Sequence, residues 1–197
     1  MERMSDTVKW LRLLVWTAAV SLINSVIDWT PWVHGDITTW ISRGIMLANI
    51  ICMFRLAPEN VRYKRAGIFR TVWLGCALVT SFLFGSYLLT IAASVASFFA
   101  VYQEYCAHSE LAADRDETLS RNWRRLFWWE IAAGLLLSAG SSVAALVLMT
   151  YDQPISAGRI SAMVIFILDI PRSVLSVVYW MLLKKTVDCV SAGEQEV

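Results

Sequence analysis

Apolar positions in this chain gather into long runs, with short polar stretches between them. The runs occupy about 10–28, 37–55, 67–84, 87–106, 126–150 and 160–183. A helix needs roughly 20 residues to cross the hydrocarbon core of a bilayer, so each run is long enough to span. The pattern predicts an all-α polytopic integral membrane protein. It would be a bundle of six transmembrane helices forming a single membrane domain over 1–197. The stretch 67–106 is too long for one ordinary span and just long enough for two. Gly85-Ser86 would supply the reversal, since glycine accepts turn dihedrals.

The charges fix an orientation for that bundle. With the N-terminus inside, cytoplasmic loops fall at about 56–66 and 107–125, and the C-terminus is also inside. This arrangement puts 14 of the 17 basic residues on the inner side. The outer loops carry Asp28, His34, Asp36 and Asp152, with Arg159 at an outer edge. The positive-inside rule is therefore met, and a five-span arrangement would break it by moving Lys184 and Lys185 outside. Tryptophan agrees: Trp29, Trp32 and Trp40 bracket the first outer loop, and Trp10, Trp16, Trp73, Trp123, Trp128, Trp129 and Trp180 lie towards inner ends. Amphipathic rings favour the headgroup level, so these read as two aromatic belts.

Composition supports the same class. The chain is 57% hydrophobic and 17% charged, against about 25% charged in a soluble domain. The excess apolar surface implies lipid as solvent, in a cell membrane. A net charge of +1 and the absence of any nucleic-acid motif argue against DNA or RNA as partner. The N-terminal stretch mixes charge signs and lacks a small-residue cleavage site, so the first span is expected to be retained. Cys52, Cys76, Cys106 and Cys189 form no close pair, which disfavours a disulfide framework or zinc ribbon. Buried thiols act as small hydrophobes, the expected role of Cys52 and Cys76.

Small residues mark faces for close helix packing. In the fifth run Ser138 and Ser142, and Gly140 and Ala144, recur at four-residue spacing. In the fourth run Ala93/Ser97 and Ala96/Ala100 do the same. Such faces let backbones approach in lipid, within the bundle, between copies of the chain, or against a partner membrane subunit.

Two constellations carry candidate chemistry. The first is intramembrane: Arg43 and Asn49 in the second run, and Asp169, Pro171 and Arg172 in the last. Asp169 and Arg172 lie three apart near the centre of their span, so they share a face. Pro171 lacks an N–H and clashes with the Ile167 carbonyl, which makes it a candidate hinge. A charge in lipid costs at least about 2.5–3.5 kcal/mol, so these groups should face the bundle interior or a wet cavity. Arg43 and Arg172 would act as anion partners or gates, and Asp169 as counter-ion or proton carrier. The competing reading is a structural ion cluster.

The second constellation is Glu104 and His108, four apart, followed by Glu110 and Asp114. If the fourth helix runs on past the bilayer, Glu104 and His108 face the same way and form a candidate acid/base pair or metal site. The order E-x-x-x-H differs from H-E-x-x-H, and a solvated hairpin balancing four basic with four acidic residues over 107–125 is the plainer reading. No G-x-G-D, G-x-S-G, Walker A or dinucleotide-binding motif is present, and nothing implies a cofactor.

Three functions follow. The leading expectation is a small-solute or ion transporter or channel-like protein using Arg43, Asn49, Asp169 and Arg172. The alternatives are an accessory or scaffold membrane subunit, and a membrane-embedded enzyme at the cytoplasmic interface.

Overall fold

The computed structural model of the chain describes residues 2–28, 35–82, 87–150 and 154–195. These form six α-helices: α1 (Glu2–Asp28), α2 (Gly35–Leu56), α3 (Val61–Phe82), α4 (Tyr87–Ala113), α5 (Glu117–Thr150) and α6 (Pro154–Gln195). No strand occurs among the described residues. Trp29, Trp32, His34, Gly85, Ser86 and Asp152 lie outside them, as do the side chains of Asp28, Asp36, Arg159 and Asp169.

The helices coincide with the six apolar runs, and most extend well past them. The segments expected as loops at 56–66 and 107–125 are largely helical, leaving turns at 57–60 and 114–116. Charge does not forbid helix, and side-chain caps set the new boundaries. Asn60 Oδ1 accepts the Arg62 amide at 2.8 Å, and Asp116 Oδ1 accepts the Leu119 amide at 2.9 Å. Each satisfies an amide that a helix start leaves unpaired. Pro58 follows α2 closely and, lacking an N–H, cannot extend it.

The chain forms two compact units, residues 1–124 with 180–197, and residues 125–179. In the first, α1 packs on α2, α2 on α3, and α3 on α4. Most of its buried residues gather at one end. Leu11 and Leu14 come from early α1, Met53 and Leu56 from late α2, and Tyr63 and Ala66 from early α3. Ala107 and Ala112 end α4, Trp123 lies early in α5, and Leu183 and Val187 lie late in α6. Short turns reverse the chain at this end, so successive helices deliver alternate termini to it. Gly67 lets α2 and α3 approach: a Cβ there would sit 3.3 Å from Met53 Cβ and from the Phe54 ring.

Away from that end, large apolar side chains are exposed. Leu88, Ile91, Val95, Phe98 and Tyr102 form an open stripe along α4. Two helices, α1 over Asp6–Ile27 and α2 over Ile37–Leu56, are long and apolar enough to cross a membrane.

In the unit 125–179, Leu126 and Phe127 are buried while Trp128, Trp129, Leu135 and Leu136 are exposed. The small-residue face of α5 is open at Gly134, Ser138 and Ser142. α6 is helical on both sides of Pro171.

Candidate functional site

A face of α3 and a face of α4 build the site. On α3, Tyr63, Ala66, Gly67 and Arg70 follow the i, i+3, i+4, i+7 spacing of one helix side. On α4, Ala96, Ala100, Glu104 and His108 recur every four residues. The small residues draw the backbones together, and the large polar groups meet where the buried end of the unit closes.

Arg70 forms an ion pair through Nη2 with Glu104 Oε2. Its other terminal nitrogen, Nη1, lies 3.4 Å from Met46 Sδ on α2. The side chains of Glu104 and His108 are wholly enclosed, at 0% exposure each. Tyr63 Oη and His108 Nδ1 are 2.8 Å apart. With the phenol as donor, the imidazole proton sits on Nε2, which is 3.9 Å from Glu104 Oε1. His108 Nε2 is buried without a hydrogen-bond partner within reach.

Aromatic rings box the imidazole. Tyr63 meets it edge-on at 5.3 Å between centroids, and Trp123 of α5 stacks on it at 4.5 Å. Trp123 Nε1 in turn donates to Thr186 Oγ1 of α6 at 3.0 Å, and Thr186 donates to the Leu182 carbonyl at 2.9 Å. One connected set of side chains therefore joins α3, α4, α5 and α6. Burial raises the Tyr63 phenol well above its ordinary pKa of 10, and the negative charges of Glu104, Glu59 and Glu110 add to that.

A second ring of contacts lies at the turns. Glu110 takes Arg62 Nε at 2.6 Å and Asn60 Nδ2 at 2.8 Å. The Arg62 guanidinium is held above its usual pKa by Glu110, although its own partial burial works the other way. Ser109 Oγ lies 2.9 Å from Ser120 Oγ and accepts Arg124 Nε at 3.1 Å, which ties α4 to α5. Thr7 Oγ1 donates to Glu59 Oε1 at 2.9 Å.

The expected second constellation is thus brought together at Glu104 and His108 and divided beyond them. Glu110 turns to Arg62 and Asn60, and Asp114 is exposed at the turn. No group of three His, Cys, Asp or Glu side chains is placed to hold a metal among the described residues. Arg70 and Tyr63, which complete the cluster, went unpredicted. The available signal was their seven-residue spacing across Ala66 and Gly67, a small-residue face with a polar group at each end.

The first constellation divides between the two units. Arg43 and Asn49 belong to the first, Asp169 and Arg172 to the second. Arg43 lies over the Trp40 ring, 4.6 Å from its centroid. Asn49 Oδ1 accepts Thr17 Oγ1 across the α1–α2 seam. Further along that seam Asn24 Nδ2 donates to Ser42 Oγ at 2.9 Å. Arg172 is exposed, and its carbonyl accepts Ser176 Oγ at 3.0 Å.

No protein family, curated protein or solved structure matches the chain. The functional reading therefore rests on the side chains themselves. A hydroxyl, an imidazole, a carboxylate and a guanidinium in contact are the parts of a proton relay. Here they are enclosed and turned on one another, an arrangement suited to locking helices in register.

Proposed function

We propose that the chain is a six-span integral membrane protein of the cell membrane, with both termini cytoplasmic, acting as an accessory or scaffold subunit. The observation that carries the subunit reading is the enclosure of Glu104 and His108, which leaves that acid/base pair no surface for a substrate. Such a cluster fixes the inner ends of the helices and frees the outer faces for assembly. The open small-residue face of α5 suits a neighbouring helix, from a second copy or a partner subunit. Membrane residence draws support from the two span-capable helices and the exposed stripe on α4. Six crossings draw support from the basic residues, which flank the turns 57–60 and 114–116 and lie towards both termini.

A second reading, transport of a small solute or ion, has the α1–α2 seam in its favour. Thr17–Asn49 and Asn24–Ser42 line it with polar groups, and Arg43 lies on the same helix. In this reading Arg43, Asn49, Asp169 and Arg172 would form the intramembrane site and Pro171 its hinge. Two measurements decide. Reporter fusions at 58, 115 and the C-terminus should all report cytoplasmic, and periplasmic activity at 115 would end the six-span assignment. Proteoliposomes of the full chain should show no ion or solute flux above protein-free vesicles. A flux abolished by Asp169→Asn and by Arg172→Gln would establish transport instead.

A further inference from the structure

A cavity of about 310 Å³ lies between early α1 and late α6 within the first unit. Ligand pockets begin at about this size. Val15, Ala19 and Val187 give it apolar walls, and the indoles of Trp16 and Trp180 flank them. Three charged side chains also line it: Arg12, Lys184 and Asp188. All three are exposed, and none is ion-paired with another.

These features call for an amphiphile with three properties. It needs an anionic group for Arg12 and Lys184, a cationic group for Asp188, and apolar chain for the valine, alanine and indole surface. We propose that this cavity holds a phospholipid with an ethanolamine headgroup. The phosphate would lie at Arg12 and Lys184, the ammonium at Asp188, and an acyl chain along Val15 and Ala19. A purely anionic headgroup would meet repulsion from Asp188. A quaternary ammonium has no N–H to donate to that carboxylate. The site rests on the membrane reading above, because it takes its lipid from the inner leaflet.

The test reconstitutes the full chain in vesicles of phosphatidylethanolamine, phosphatidylglycerol and phosphatidylcholine in equal parts. The protein is then extracted in mild detergent and its retained lipid identified by native mass spectrometry. One phosphatidylethanolamine should remain, about tenfold over either competitor, as expected for losing a charge-assisted hydrogen bond. The paired substitution Arg12→Gln and Lys184→Gln should lower retention about tenfold. Asp188→Asn should keep a bound phospholipid and lose the headgroup preference. Equal retention of the three lipids by the native chain overturns the proposal. Undiminished retention in the folded Arg12/Lys184 variant also overturns it. A native chain that stays dispersed without detergent overturns the membrane reading, and the lipid site with it.

Discussion

At the scale of single residues, the buried Arg70–Glu104 pair is the most consequential contact. Two desolvated charges stabilise little in net terms, but removing one strands the other. Glu104→Gln should therefore cost about 3–5 kcal/mol in a detergent unfolding titration. Glu104→Gln combined with Arg70→Met should recover most of that loss, since no uncompensated charge remains. Tyr63 sets a pH dependence. Its folded-state pKa lies above the ordinary 10, so the folded protein keeps a proton that the unfolded chain releases. The associated stability is whole below about pH 10 and declines as pH rises from there towards the folded-state value. The unfolding midpoint followed through the alkaline range should fall more steeply in the native protein than in Tyr63→Phe. At neutral pH that variant should lose about 1 kcal/mol, the usual worth of one hydrogen bond. Glu104 and His108 were legible as a pair in the sequence from their four-residue spacing. Their environment was not. Four acidic and four basic residues follow closely, and charge balance over 107–125 reads as a wet surface. The partners that bury them come from a different helix, 34 residues away for Arg70 and 45 for Tyr63, and local pattern carries no such distance.

At the scale of helices, six apolar runs became six helices because length and hydropathy decide element type where polar interruptions are short. Boundaries were harder to read. Hydropathy marks where lipid would end, whereas a helix ends where its amides find another partner, here Asn60 and Asp116. Close approach was partly legible. Ala96 and Ala100, singled out by spacing, are both buried, while Gly67 escaped notice because one glycine in an apolar run has no period. Gly67 is nonetheless where α2 presses on α3. Gly67→Leu should destabilise by about 1–3 kcal/mol through overpacking against Met53 and Phe54. Gly134→Leu on α5, where nothing lies within 4 Å, should change the same unfolding midpoint little.

At the scale of the whole chain, the alternation of basic turns implied which helix ends should gather, and within residues 1–124 and 180–197 those ends do share the buried core. The grouping of Arg43 with Asp169 and Arg172 rests on their place within apolar runs, and such runs say nothing about lateral position in a bundle. The link from Trp123 to Thr186 joins residues 63 positions apart, and the described residues between them, 124–150 and 154–185, are helical. This bears on how the protein is made. A ribosome delivers Tyr63, Arg70, Glu104, His108 and Trp123 well before it delivers Thr186. Through that interval the Thr186 hydroxyl is not yet there for the Trp123 indole, and the seam meant for late α6 stands open. Completion of the fold is timed by the last helix. A nascent chain that stalls before Thr186 leaves the α6 side of Trp123 uncovered, an aromatic surface of the kind by which cellular surveillance recognises an unfinished protein.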